Sequence, residues 1–313
     1  MNLNYAKKII LIITSIFNIY IINNSYANAF PIYAQQGYEN PREATGRIVC
    51  ANCHLAQKEV SIEVPKSILP NTVFEAKVKI PYNLDNKQLL GSGTKGDLNV
   101  GAIMILPTGF KLAPQNLLSD ELKNKTKNIY IQPYSTSKDN ILVVGPIPGK
   151  NNQEITFPIL SPDPNQEKNI YFLKYPIYVG GNRGRGQIYP TGDKSNNNTI
   201  NASYDGKITE ITPSSNGSYT ISIKKDNGNN YTENIPKGLD IKVQIGNYVK
   251  ANESLTNDPN VGGFGQNETE IILQNPNRII GMIIFFFTVT IAQIFFVLKK
   301  KQWEKVQSAD LNF

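Results

Sequence analysis

The chain reads as a mainly β protein that ends in a single transmembrane helix, and three features carry that reading. Short runs rich in β-branched and aromatic residues, such as Val73 to Ile80 and Ile170 to Val179, are punctuated by proline and glycine and show few helical periods. The same pattern returns on a smaller scale between Ala202 and Leu255, with turn signals at Asp226-Asn227-Gly228 and Gly238 and strand-like runs at Tyr219 to Lys224 and Ile241 to Ile245. Finally, Ile279 to Leu298 contains no charged residue.

Taken in order, residues 1–29 read as an export signal. Lys7 and Lys8 supply a positive start, Ile9 to Ile22 is largely apolar, and Ala27-Asn28-Ala29 is a cleavage site of small residues. An uncleaved first anchor competes with this, but Thr14, Ser15 and Asn18 interrupt a run that is already short. The mature chain then begins at Phe30. Residues 30–199 read as an antiparallel β-sandwich, and residues 200–258 as a small β domain similar to lipoyl-type barrel-sandwich hybrids, especially at Gly246-Asn247-Tyr248-Val249-Lys250. No modified-lysine turn is evident there, so a carrier-arm role is not expected. Residues 278–298 form the transmembrane helix, because about 20 apolar residues at 1.5 Å each cross a hydrocarbon core of roughly 30 Å. Lys299, Lys300 and Lys301 open a tail, 299–313, that the positive-inside rule keeps on the side of synthesis.

The formal charge of +7 suggests a polyanion partner until it is located. Residues 30–274 hold 25 Lys and Arg against 23 Asp and Glu, so the basic excess belongs to the membrane-flanking ends. Nucleic-acid binding is therefore excluded as the explanation.

Both cysteines and the only histidine fall within Cys50-Ala51-Asn52-Cys53-His54. This is the c-type haem attachment pattern, in which two thioethers reach one edge of the porphyrin and the next residue presents its imidazole to the iron. A zinc site would need four nitrogen or sulfur ligands, and these are only three. A catalytic dithiol belongs at a helix start in a βαβ unit, which the pattern lacks. A plain disulfide gives the histidine no role. The reading is one haem c, held covalently by Cys50 and Cys53 with His54 as an axial ligand.

The second axial ligand separates an electron carrier from a haem enzyme or a ligand sensor, since both of the latter need an open or exchangeable iron position. No second histidine exists. Met282 lies in the membrane span, and Met104 sits in Ile103-Met104-Ile105-Leu106, which reads equally well as a buried strand. A lysine, a tyrosine or the new amino terminus remains.

The stretch from Phe30-Pro31-Ile32-Tyr33-Ala34-Gln35-Gln36-Gly37-Tyr38-Glu39-Asn40-Pro41-Arg42 to the haem motif resembles the start of mature proteins of the cytochrome f family. The resemblance extends through Gly180-Gly181-Asn182-Arg183-Gly184-Arg185-Gly186-Gln187-Ile188-Tyr189-Pro190, Asn260-Val261-Gly262-Gly263-Phe264-Gly265 and the closing Lys299-Lys300-Lys301-Gln302. It implies an elongated large domain into which the small one is inserted, with residues 259–277 as the returning segment. It implies a membrane-anchored carrier of single electrons, not an enzyme, in the cytochrome b6f complex with cytochrome b6 and the other subunits. The electron would come from the Rieske iron-sulfur protein and go to plastocyanin or a soluble carrier such as cytochrome c6. The haem domain would lie in the lumen of a plastid thylakoid, with a cyanobacterial thylakoid as the alternative, and the C-terminus in the stroma or cytoplasm.

The resemblance also implies that the α-amine of Phe30 is the second axial ligand. Asn182, Arg185, Gln187, Asn198 and Asn257 match positions that line an internal chain of waters, and Lys87 and Lys95 lie near basic positions that dock the acceptor. The glycines from Gly180 to Gly186 read as turn-forming, since no strand-loop-helix pattern makes them a phosphate cradle.

Overall fold

The computed structural model describes residues 31–311; the signal at 1–29 and the Phe30 ligand position lie outside the described residues. The protein is mainly β, built from antiparallel sheets, and closes with one long helix.

Two sheets face each other across the main core. One orders Ser61–Glu63, Val73–Lys79, Glu154–Leu160 and Lys111–Leu112; the other orders Ser67–Ile68, Gly263–Leu273, Lys174–Arg183, Asn99–Ile105, Lys138–Pro148 and Ile131–Ser135. Within Val73–Lys79, Phe74, Ala76 and Val78 are buried and alternate with half-buried neighbours, as a period of two requires when one face meets a core. Their partners include Ile155, Phe157 and Ile159 from the adjoining strand and Ile177, Val179 and Ile271 from the opposite sheet. Phe110 packs edge-on to Phe74 and Tyr175, with centroids 6.3 and 5.9 Å away.

The larger sheet is buried on both faces where it meets the haem motif. Along Asn99–Ile105, Val100, Ala102 and Met104 enter the main core, while Ile103 joins a second cluster with Ile48, Tyr134, Ile141, Val143 and Phe264 on the reverse face. The pleat thus points Met104, which is fully buried, away from the face that carries Cys50.

Two local expectations change. The run expected from Ile170 to Val179 is a strand over Lys174–Arg183, so the expected turn-forming glycines Gly180 and Gly181 lie inside a strand. They are small for packing reasons. A Cβ on Gly180 would sit 2.4 Å from the Phe264 ring and one on Gly181 2.9 Å from Ile80, whereas Gly184, with φ of 73°, is a true turn glycine. The strand expected at Ile241 to Ile245 is reduced to one bridge between Ile241 and Thr256; the chain departs after it into the turn at Gly246.

Gly206–Pro213, Tyr219–Lys224, Asn230–Ile235 and Tyr248–Val249 make a separate four-stranded sheet over its own core of Ile208, Ile221, Ile223, Ile235, Val249 and Leu255. The strands on either side of this excursion, Lys174–Arg183 and Gly263–Leu273, pair with each other. The final helix, Pro276–Asp310, is capped by the Asn275 side chain, which accepts from the amides of Asn277 and Arg278. It is long and apolar enough to cross a membrane and continues through the lysine cluster instead of stopping at Leu298.

Candidate haem site

A tight 3-10 turn, Val49–Asn52, gathers the chemistry. The Cys50 carbonyl accepts from the amides of Cys53 at 3.3 Å and His54 at 3.0 Å, which brings both thiols and the imidazole to one side of a single turn. Ile48 and Val49 are buried beneath it. The Ile48 amide donates to Gln266 Oε1 at 2.9 Å, the Cys53 carbonyl accepts from the Gln187 amide at 2.7 Å, and the Gln187 side chain accepts from the Leu55 amide at 2.9 Å. Gly186 permits that approach, since a Cβ there would lie 3.1 Å from the Cys53 carbonyl oxygen.

This turn forms one wall of a cavity of about 380 Å³, within the roughly 300–1,000 Å³ usual for cofactor sites. Ile103, Val143, Val144, Ile188 and Phe264 make much of its lining apolar. The N-terminal helix, Ile32–Gly37, closes another side. It buries no residue of its own and is tied down by Tyr134, whose buried hydroxyl lies 2.6 Å from the Ala34 carbonyl and 2.7 Å from that of Tyr38. Gln35 Nε2 returns a bond to the Tyr134 carbonyl at 2.8 Å.

The electrostatics favour neutral groups. Burial lowers the His54 pKa to about 4, so the imidazole is uncharged at neutral pH and offers a lone pair. Burial raises Cys50 to about 12 and also raises Cys53, so both cysteines are thiols, and they are not joined to each other. A reactive redox dithiol needs the opposite shift. Among the described residues no cluster of three or more His, Cys, Asp or Glu could hold a metal ion by itself. His54 Nδ1 is buried without a protein partner, and Nε2 lies 3.4 Å from the Asn182 amide, too far for a strong bond. Two thiols and an under-committed neutral imidazole on an apolar cavity fit a c-type haem.

Residues 30–184 match the family model described as apocytochrome F, N-terminal, and residues 196–313 match apocytochrome F, C-terminal. The chain belongs to the cytochrome f family. Cytochrome f of Gracilaria tenuistipitata var. liui is 69% identical over 307 residues, covering 98% of this chain and 99% of that one. Cytochrome f of Porphyra purpurea is 64% identical, with 96% and 94% covered, and that of Cyanidium caldarium is 58% identical, with 98% and 97% covered. Family membership supports an electron-transfer role, a c-type haem and membership of the cytochrome b6f complex, and the C-terminal helix fits a single-pass membrane protein.

The polar residues expected near the haem divide into two groups. Arg185 is buried and donates to the Leu89 carbonyl at 2.8 Å, Asn196 Oδ1 at 2.6 Å and the Tyr189 hydroxyl at 3.1 Å. Asn182 and Gln187 flank it, and half-buried Asn198 donates to the Gln187 carbonyl at 2.7 Å. Asn197, not Asn198, is the buried member of that pair, bonded to the Arg185 carbonyl at 3.0 Å and 3.4 Å from Asn260 Oδ1. Asn257 is exposed, and Asn260 is the asparagine of its turn that faces inward. Lys87 is ion-paired with Asp97, and Lys95 lies 3.6 Å from Asp240, all on exposed side chains. Sequence reasoning missed Tyr134, Gln266 and Asn197, because each acts across a chain separation that no local motif marks.

Replacing Tyr134 with phenylalanine keeps the ring and removes the hydroxyl that holds the N-terminal helix. The expected loss is about 1 kcal/mol of stability, with faster amide exchange in residues 34–38 and unchanged exchange in the main core, measured by hydrogen–deuterium exchange.

Proposed function

We propose that this protein is a membrane-anchored one-electron relay carrying a single covalent haem c. Cys50 and Cys53 are the tethers, and His54 and the α-amine of Phe30 are the axial ligands. The observation that supports this most directly is the placement of two unpaired thiols and a neutral imidazole on one wall of an apolar cavity. When bound, the haem supplies a centre that takes and gives up one electron.

The chain's own residues do the rest. Thioether tethers on Cys50 and Cys53 would fix the cofactor against loss, and Gln187 and Gln266 clamp the turn that carries both cysteines and His54. Ile103, Val143 and Phe264 keep water off the cavity wall. Met104 is an unsuitable ligand because it lies in the core on the other face of its strand. An α-amine has a pKa of roughly 7.7 to 8.0, so it gives up its proton to bind a metal more readily than lysine near 10.4. Pro31, directly after it, restricts the chain and offers no competing N–H. A peroxidase-like alternative lacks the distal histidine it would want, since His54 is the only one in the chain.

In this reading the donor is the Rieske iron-sulfur protein and the acceptor is plastocyanin or a soluble c-type cytochrome. Residues 200–258 are a small domain inserted into a large one formed by 30–199 and 259–277. The β body lies in the lumen of a plastid or cyanobacterial thylakoid, after removal of residues 1–29 as a signal, with 299–313 on the opposite side. Asn182, Arg185, Gln187, Asn198 and Asn257 belong to a hydrated path from the haem. Buried acceptors of Gln88 and Asn197 that lack protein partners support such a path around Arg185.

Three experiments test this. On a denaturing gel stained for haem peroxidase activity the mature protein should give a band that survives acid-acetone extraction; extraction of the colour would reject covalent attachment. A precursor whose cleavage is blocked at Ala29 should retain covalent haem but change its spectrum, and an unchanged spectrum would reject the Phe30 amine. Lys87 and Lys95 are proposed docking cations even though each already faces a carboxylate. Exposed pairs contribute little and exchange readily for a partner's carboxylates. The double change Lys87→Ala with Lys95→Ala should slow association with an acidic acceptor at low ionic strength and have little effect once salt screens charges beyond about 8–10 Å; equal low-salt rates would make these lysines bystanders.

A further inference from the structure

The strand Gly263–Leu273 leaves the β body at an end where large apolar side chains face outward. Tyr171 is 61% exposed, Leu173 54% and Leu69 43%. Their backbones are nonetheless fixed. The Leu173 carbonyl accepts from the Leu273 amide at 3.0 Å, and the Ile68 carbonyl accepts from Gln274 at 2.8 Å. The Tyr175 hydroxyl bonds both the amide and the carbonyl of Tyr171. Leu173 and Leu69 therefore flank the departing chain from its antiparallel and parallel neighbours respectively.

The length of chain between this end and the apolar part of the helix is short. Arg278 is the last charged residue before Lys299. From Leu273 to Ile279 the chain spans at most about 15 Å, counting the stretch to Pro276 as extended at up to roughly 3.6 Å per residue and the remainder as helix at 1.5 Å. The polar headgroup layer occupies roughly 5–8 Å on each side of the hydrocarbon. Even fully extended along the bilayer normal, this linker leaves Leu273 at most about 7–10 Å beyond that layer, and any bend or tilt brings the residues bonded to Leu273 and Gln274 closer to it. Tyrosine and leucine suit such a place, one with a wet end and an apolar ring, the other able to enter the acyl boundary. Nearby charges are mixed: Lys174 is ion-paired with Glu270, and Lys168 stands beside Glu167. Burial of apolar surface is therefore the driving force, with little contribution from attraction to anionic headgroups.

We infer that Leu69, Tyr171 and Leu173 form a membrane-contact surface that rests in the lipid headgroup layer and sets how the β body stands on the bilayer. This rests on reading residues 279–298 as the membrane-spanning segment. To test it, the full haem-loaded chain is reconstituted into phosphatidylcholine vesicles containing a lipid with a diazirine close to its headgroup, illuminated and digested, and lipid adducts are mapped by mass spectrometry. The expected result is adducts on the peptides bearing Leu69 and Tyr171 to Leu173, several-fold above those on the distant turn at Asn227, together with adducts on the helix. Adducts confined to the helix would overturn the surface and leave the anchor standing. Absence of adducts from the helix as well would overturn the anchor reading and the surface with it.

Discussion

The antiparallel ladder between Lys174–Arg183 and Gly263–Leu273 joins ten residue pairs from segments about eighty residues apart in the chain. Its two ends do different things. At one, Asn182 pairs with Phe264, so the amide that faces His54 and the ring that lines the cavity are set by a single register. At the other, Lys174 pairs with Ile272, one residue before the strand ends and three before the Asn275 helix cap. Eight steps of roughly 3.4 Å separate Asn182 from Lys174, about 27 Å of paired strand between the site and the start of the final helix. Because side chains alternate faces with a period of two, a slip of one residue would turn Asn182 away from His54 and drive Arg183 into the cavity. Gly180 and Gly181 allow the ladder to pass between the Phe264 ring and Ile80, and no larger residue fits there without moving one of them.

How much of this was legible in the sequence depends on how local the cause is. The haem motif was legible because its spacing is its geometry: within one turn the Cys53 and His54 amides both donate to the Cys50 carbonyl. The strand Tyr219–Lys224 and the apolar span near the C-terminus were legible for the same reason, through alternation and through length. The pairing that places residues 206–249 between two partnered strands was not, since no periodicity records which distant strand a strand will meet. Gly180 and Gly181 misled because glycine has two uses, freedom at a turn and smallness in a sheet, and the difference lies in Phe264 and Ile80, far away in sequence. Asn197 and Asn198 are adjacent and chemically identical, and only the fold distinguishes the one that is buried.

Tyr134 shows a related limit. It sits beside Pro133 in the edge strand Ile131–Ser135, an unremarkable context, yet its hydroxyl is what the N-terminal helix rests on. One hydroxyl proton cannot serve two carbonyls fully, so it is shared between those of Ala34 and Tyr38. Burial raises the phenol to about 12, which keeps that proton in place across the neutral range. A helix with no buried residue of its own owes its position to such contacts, assisted by Gln35 and by Lys138 on the Glu39 carbonyl at 2.5 Å. The described start of the chain, from Pro31 to Tyr38, is thereby tied to the same sheet face that carries the cavity.

Leu89 links the small sheet to Arg185. The Leu89 side chain is buried in the small core with Ile208, Ile235 and Leu239, while its carbonyl accepts from Arg185. The junction is close: a Cβ on Gly238 would lie 2.3 Å from the Gly93 carbonyl oxygen, and one on Gly93 2.6 Å from that of Lys237, and both glycines have positive φ. Two turns in contact at backbone distance cannot slide past each other without losing the core that Leu89 completes. Lys95, in the strand paired with Leu89, and Asp240, just beyond Gly238, face each other across the same junction. The short strand pair of Leu89 and Lys95 thus ties both Arg185 and an exposed lysine to the small sheet.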